Sequence, residues 1–418
     1  MNGPEAAALD RAVAQVVRTS NCSGCGACTL LDPGLEMQLD AQGFRRPARV
    51  SDGQTAPTAS RTFDQVCPGR RITARRWAGS VRHATLGPIV SAWEAWAADP
   101  EVRHRGSSGG TLTALTGWLV ETGELSAVRT ARMDPGEPRR TVPVRITSRA
   151  EALAAAGSRY GPVGVLGPGA LDPGTGVAAK PCEISAARAL LDGRQDDAPL
   201  LLSFFCAGTP SQSATDDLVT SLGVASGTEL AELWYRGRGW PGSFTAVTRD
   251  GDRVETSYDE SWGRHLGPAT QWRCKICPDG VGESADISAA DFWRTDERGY
   301  PDFAEGDGCS ALLARTARGH DVLTRAFAAG VLVGRPLDPD ALAGVQPLQT
   351  SRRRTLFGRL VGTRLAGRPV PRYSGFGLAR LAAPRWRETA RTAKASFRRV
   401  RGPSGAVSSP PPAVGAPR

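Results

Sequence analysis

The chain has 418 residues, 40% of them hydrophobic and 22% charged, which are ordinary globular proportions over enough length for about three domains. Its 49 glycines and 31 prolines stay below the share typical of low-complexity chains, which excludes collagen-like, coiled-coil and wholly disordered classes. The net charge of +10 is unevenly placed: residues 351–418 carry 16 Lys/Arg against one acid, Glu388, so the body is mildly acidic. No apolar run reaches the roughly 18 residues of a membrane span. The N-terminus, MNGPEAAALDRAVAQVV, lacks the cationic start and apolar core of a secretory signal, which predicts a soluble, cytoplasmic protein.

Residues 1–80 predict a small loop-rich lobe with a short helix and the sequence Cys22-Ser-Gly-Cys25-Gly-Ala-Cys28. With no secretory signal a disulfide framework is not expected, and clustered thiols point to metal or redox ligands. The C-x2-C-x2-C spacing lets one tight loop aim three thiolates at a single cubane, as in bacterial ferredoxins. Asp32 occupies the place where a further cysteine usually stands. The next Cys-Pro, Cys67-Pro68, is therefore assigned as the fourth ligand. Zinc is the alternative occupant, although zinc sites favour paired C-x2-C knuckles.

Residues 81–165 open with Ser91–Ala98, a mixed apolar stretch that fits helix or strand. Arg105-Gly-Ser-Ser-Gly-Gly-Thr111 then precedes Leu112–Gly123, whose apolar residues at 112, 115, 118 and 119 have helical spacing. A Ser/Gly turn at a helix start offers free N–H groups and a positive dipole end. That suits a phosphate, and equally a plain N-cap.

In residues 166–346, Val177–Lys180 and Leu200–Phe205 read as buried strands, with helical spacing over Glu183–Leu191 between them. Such β-α-β alternation predicts an α/β body. Ala285–Ala290 and Ala311–Arg315 add strand-like runs, the second followed by a helix over Val322–Ala329. The region also carries Cys182, Cys206 and the pair Cys274-Lys-Ile-Cys277. Alone, Cys182 and Cys206 read as buried structural thiols. With the downstream pair, the economical reading is a second four-thiolate site built from Cys182, Cys206, Cys274 and Cys277, leaving Cys309 as an ordinary core thiol.

From Pro347 the pattern breaks into arginines punctuated by Gly and Pro, so residues 347–418 predict a flexible basic tail. Such a tail is either a solvated extension or a docking segment for an anionic surface, a membrane or an acidic ferredoxin-like protein. No nucleic-acid-binding module accompanies the arginines, so nucleic acid is not an expected partner. The expected architecture is mixed α/β: a helix-flanked sheet body, a loop-rich N-terminal iron–sulfur lobe and a flexible basic C-terminal tail.

The ordered motifs CSGCGAC (22–28), SSGGTLTAL (107–115), AAGSRYGP (155–162), KPCEISAARAL (180–190), FFCAG (204–208), CKICPDGVGESADISAADFW (274–293) and GCSALLARTARG (308–319) resemble one family. It is the beta subunit family of coenzyme F420 hydrogenases and dehydrogenases, which is similar also to reductases of 7-hydroxymethyl chlorophyll a. The resemblance implies a flavoprotein oxidoreductase with FAD and [4Fe–4S] clusters, one held by the second cysteine set beside the flavin. It also implies coenzyme F420 as a substrate and a ferredoxin or a hydrogenase- or dehydrogenase-type partner subunit. Cofactor contacts are expected from Ser107, Ser108, Gly109, Gly110, Thr111, Ser158, Tyr160 and Lys180. Lys180 suits a reduced flavin or an acidic substrate, or else solvent. Asp279, Asp286 and Asp291 suit ribose or flavin hydrogen bonds, or turn and cap roles. Three functions follow: electron transfer between a ferredoxin-like carrier and F420, a ferredoxin-driven reductase of another metabolite or sugar intermediate, or a non-catalytic relay subunit.

Overall fold

The computed structural model describes residues 3–194, 198–294 and 304–402. The N-terminal lobe is built on two helices, α1 (Pro4–Arg18) and α2 (Ala59–Val66), beside an antiparallel hairpin of Leu35–Leu39 and Arg45–Arg49. Leu9, Val13 and Val16 recur along one face of α1 and close a small core with Leu35, Ala59 and Phe63, into which Cys28 and Cys67 also pack. Asp32 is fully buried there, where it pairs with Arg49 at 2.7 Å and accepts hydrogen bonds from the Gly34 N–H and the Thr55 hydroxyl. Burial pushes its carboxyl pKa up, but the hydrogen bonds from Arg49 and Thr55 outweigh burial and hold it below the ordinary value. The residue standing in a cysteine's place is thus a clamp on the hairpin.

The body is an eight-stranded mixed sheet: β1 (Ser91–Ala97), β2 (Ala127–Met133), β3 (Thr141–Ile146), β4 (Thr175–Ala179), β5 (Leu200–Phe204), β6 (Ile287–Asp291), β7 (Ser310–Ala314) and β8 (Leu332–Pro336). Their order is β8-β1-β7-β6-β5-β4-β2-β3. The neighbours β2, β4, β5 and β6 run parallel, and the outer pairings are antiparallel. Ser91–Ala98, open to helix or strand from its pattern, is a strand held between β7 and β8.

Alternation along the strands fills both faces. Leu200 and Leu202 pack with Leu115 and Leu119 of α3 (Thr111–Glu121) on one side. Val322, Leu323 and Ala326 of α5 (Ala317–Ala328) join the same cluster. Leu201 faces the other side, against Ile184, Ala186 and Ala187 of α4 (Pro181–Leu190) and against Cys25 and Ala27 of the N-terminal lobe. A smaller three-stranded antiparallel sheet, Leu230–Trp234, Phe244–Thr248 and Arg253–Thr256, packs with helix Gln212–Ser221 around Tyr235 and Phe244.

The C-terminal region corrects the expectation of a flexible tail. Helix α6 (Pro347–Leu365) and helix α7 (Trp386–Arg401) cross each other, and Gln349, Arg352, Arg353 and Leu356 are buried. The arginines are ordered because they have buried acceptors. Arg353 pairs with Glu283, and Arg352 Nη2 donates to the Cys206 carbonyl at 2.8 Å. The Ser408–Arg418 stretch assigned to the same tail lies outside the described residues.

Gly358 and Gly362 form the crossing point. A Cβ on Gly358 would stand 2.5 Å from the Thr389 carbonyl oxygen, and one on Gly362 would overlap the Ala393 carbonyl. Gly362→Leu is therefore expected to cost about 1–3 kcal/mol by overpacking and to free α7. Hydrogen exchange over 386–401 checks this: protection should be lost there and kept in β5 and β6.

Candidate functional site

The parallel strands β4, β5 and β6 end at Ala179, Phe204 and Asp291, and the residues beyond them gather at one sheet edge. Ligands of open α/β sheets sit in the crevice outside such carboxyl ends. Here that edge carries Lys180-Pro181-Cys182, Phe205-Cys206 and Asp291. Asp291 is in register with Ser310 of β7, and Ser310 with Ala95 of β1, so the Ser107–Thr111 turn reaches the same edge.

The first four cysteines stand around one space. Cys22, Cys25, Cys28 and Cys67 line one cavity walled by Val13, Val16 and Phe63. The loop that carries three of them turns at Gly26, whose φ of 85° favours glycine; a Cβ there would overlap the Leu166 carbonyl. Burial pushes the Cys25 thiol up to about 11, and burial together with the neighbouring thiols raises Cys28 and Cys67. A bound cation reverses that preference, because the thiolate is the metal ligand. Among the described residues, no three His, Cys, Asp or Glu side chains converge on a point as a single ion requires. A cubane takes its thiolates at its corners, around a void, and four thiols ringing a cavity fit that demand.

The elements that carry the second set lie near one another. Cys182 opens α4, Cys206 follows β5, and Cys274 and Cys277 flank a short turn; all four are half-buried. Cys206 lies within electrostatic reach of Cys274 and Cys277, and Cys182 within reach of both Cys206 and Cys25. The two sets are thus neighbours, joined through Cys25 and Cys182. Burial, with Cys274 next, pushes Cys206 up to about 12. Its carbonyl accepts from Gln349 Nε2 at 3.2 Å as well as from Arg352, so α6 fixes the loop that presents it. Cys309 stands apart, half-buried beside Glu94, its thiol raised to about 12 by burial and that carboxylate.

Of the expected cofactor contacts, several already have partners inside the protein. Ser108 Oγ donates to the Cys309 carbonyl at 2.6 Å, and the Gly109 N–H donates to Ser310 Oγ at 3.0 Å. Ser107 and the first turn of α3, begun by Gly110 and Thr111, keep N–H groups without intrahelical acceptors. Lys180 is buried, its ammonium bound to Glu183 at 2.8 Å and to the Val163 carbonyl at 2.8 Å. Ser158 bridges to Arg236, and Tyr160 packs on Tyr235 and Trp262. Asp279 caps the 281–283 turn, Asp286 binds the Leu201 N–H and Arg188, and Asp291 pairs with Arg236 at 2.6 Å. Asp279 thus takes the turn role, and Asp286 and Asp291 are held by protein partners.

The family models for the coenzyme F420 hydrogenase/dehydrogenase beta subunit match residues 92–168 (N-terminal part) and 174–340 (C-terminal part), together more than half of the chain. The chain belongs to this family. Family membership places it among subunits of oxidoreductase complexes. It is 27% identical over 300 residues to the coenzyme F420 hydrogenase subunit beta of Methanococcus voltae, across 68% of this chain and 99% of the relative. The same subunit of Methanothermobacter thermautotrophicus is 27% identical over 306 residues, at 68% and 99% coverage. A chain of the F420-reducing [NiFe] hydrogenase complex from Methanosarcina barkeri aligns at TM-score 0.49 and 22% identity, covering 65% of this chain and 91% of its own.

Beyond the beta subunit matches lie α6 and α7, and there the sequence reading missed Gln349, Arg352 and Arg353. Their face of α6 is buried but polar, so no apolar period marks it. The one signal was Pro347, a residue favoured at the first helical position. Among the described residues, no helix is long and apolar enough to cross a membrane.

Proposed function

We propose that this chain is a flavin- and iron–sulfur-dependent electron-transfer subunit, moving electrons between a ferredoxin-like one-electron carrier and coenzyme F420 or a similarly handled substrate. The observation that carries this reading is the adjacency of two four-cysteine sets, the second with Cys182 and Cys206 at the carboxyl ends of β4 and β5. When bound, a flavin exchanges two electrons as a hydride or one at a time, and [4Fe–4S] centres move single electrons. Cys22, Cys25, Cys28 and Cys67 would hold one cluster, and Cys182, Cys206, Cys274 and Cys277 the other. Ser107 and the open first turn of α3 would receive the phosphates of FAD, with the helix dipole favouring their charge.

The other residues of the edge hold these groups in place. The Lys180–Glu183 pair fixes the start of α4 and hence Cys182. Asp279 holds the turn after Cys277, and Arg352 and Gln349 hold the loop that carries Cys206. Lys275, next to Cys274, lies within reach of Arg359 and Arg399. This basic ground beside a cysteine ligand supports docking of an acidic carrier near the second cluster.

The test is to purify the full chain anaerobically and follow F420 absorbance with chemically reduced ferredoxin as donor. F420 reduction that needs bound flavin is the expected result. A chain replete in flavin and iron that never exchanges electrons with F420 contradicts the substrate assignment. In that case copurification of a hydrogenase- or dehydrogenase-type partner would point to the relay reading, which the beta-subunit names of its relatives favour.

The flavin placement has its own control. Gly109→Val is a poor probe, because its Cβ would stand 2.6 Å from the Ala95 carbonyl and disturb the sheet itself. Ser107 is the better position, since no hydrogen bond holds its side chain among the described residues, whereas bonds fix Ser108 and Gly109.

A further inference from the structure

We propose that Arg273 is a positioning residue shared by the two cysteine sets, a buried counter-charge that raises the reduction potentials of both clusters. This rests on the two-cluster reading above. Arg273 is 1% exposed and forms no ion pair with a carboxylate among the described residues. Its Nη2 donates to the Pro68 carbonyl at 2.9 Å, next to Cys67, while its Nε and Nη1 are buried and have no hydrogen-bond partner among the described residues. It lies within electrostatic reach of Cys182, Cys274 and Cys277 on one side and of Cys67 on the other.

The Tyr373 ring, 5.5 Å from the guanidinium, offsets part of the cost of burying this charge, and a nearby anion would offset the rest. Clusters ligated by four thiolates are anionic, and a cysteine set that would hold one lies on each side. The preceding residue but one supports the same junction. Gln271 Nε2 donates to the Ser23 carbonyl at 3.0 Å, and its Oε1 accepts from Arg46 Nη1 at 3.0 Å. The 271–273 segment therefore ties the loop of the first set to the Trp272–Lys275 helix that carries Cys274.

The sign follows from charge. Reduction adds an electron to a cluster that is already negative, and a fixed cation nearby stabilises that form. Removing the cation lowers the potential of each cluster that feels it.

The experiment is an EPR-monitored redox titration of the full chain, purified anaerobically, with Arg273→Gln and Arg273→Lys beside it. In Arg273→Gln with full iron, both midpoint potentials are expected to move negative, whereas Arg273→Lys should stay close to the parent. Unmoved potentials in an iron-replete Arg273→Gln, or a shift in one cluster alone, would overturn the shared role. If Arg273→Gln fails to hold iron, Arg273→Lys decides: retained iron at parental potentials supports the charge, and loss of iron there too assigns the residue to packing only. A parent protein without two clusters defeats the two-cluster reading itself, which separates that failure from this one.

Discussion

A chain ended at Thr350 is expected to lose the integrity of the second cysteine site, not simply a basic extension. Arg353 pairs with Glu283, which is itself buried and bound to Arg82 at 2.7 Å. Arg352 and Gln349 hold the Cys206 carbonyl, and truncation removes Arg352 outright. Breaking a buried ion pair by removing one partner costs about 3–5 kcal/mol, a large share of the roughly 5–15 kcal/mol that stabilises a typical domain. Urea unfolding should show the midpoint falling sharply for the chain ended at Thr350 relative to the parent. Equal midpoints for the shorter chain and the parent would show that α6 contributes nothing to the body.

Glu183→Ala should be nearly as damaging. Glu183 is fully buried and accepts from the Lys180 N–H at 2.9 Å, the Lys180 ammonium at 2.8 Å and the Val165 N–H at 2.9 Å. The carboxylate thereby joins α4 to the 163–166 strip whose Leu166 N–H binds the Cys25 carbonyl. Its loss leaves the buried ammonium without its counter-charge, held by the Val163 carbonyl alone, and two buried N–H groups unpaired, a loss of about 3–5 kcal/mol. Burial pushes the Lys180 pKa down, but the Glu183 charge outweighs burial and holds it above its ordinary value. A raised lysine pKa stabilises below the unfolded value, near 10.4, and that contribution disappears only as pH rises through the folded value. Comparing Glu183→Ala with the parent across pH 7 to 11 tests both points. The gap should be wide at neutrality and should narrow only at the alkaline end.

The legible parts of this molecule were those with a periodic or spaced signal. Leu200–Phe205 was readable as a doubly buried strand because Leu200, Leu201 and Leu202 are all apolar, and they do fill opposite faces. The cysteine spacing named the first set, and the structure places Cys67 with it, 39 residues after Cys28. What the sequence did not show was any residue whose burial depends on a polar partner. Arg352 and Arg353 look like solvated charge until Glu283 and the Cys206 carbonyl stand opposite them. Lys180 shows no sign in sequence that Glu183, three residues on, consumes its ammonium. Gly109 reads as a ligand cradle, but its missing Cβ serves the approach of the Ala95 and Ser310 backbones.

The most direct measurement is the iron and acid-labile sulfide content of the full chain purified without oxygen. Two complete cysteine sets predict about eight iron and eight sulfide per chain. Cys277→Ser should remove about half, one cluster's share, and Cys309→Ser, which stands apart from both sets, should remove none. Zinc in place of iron, or full iron content in Cys277→Ser, would contradict the account.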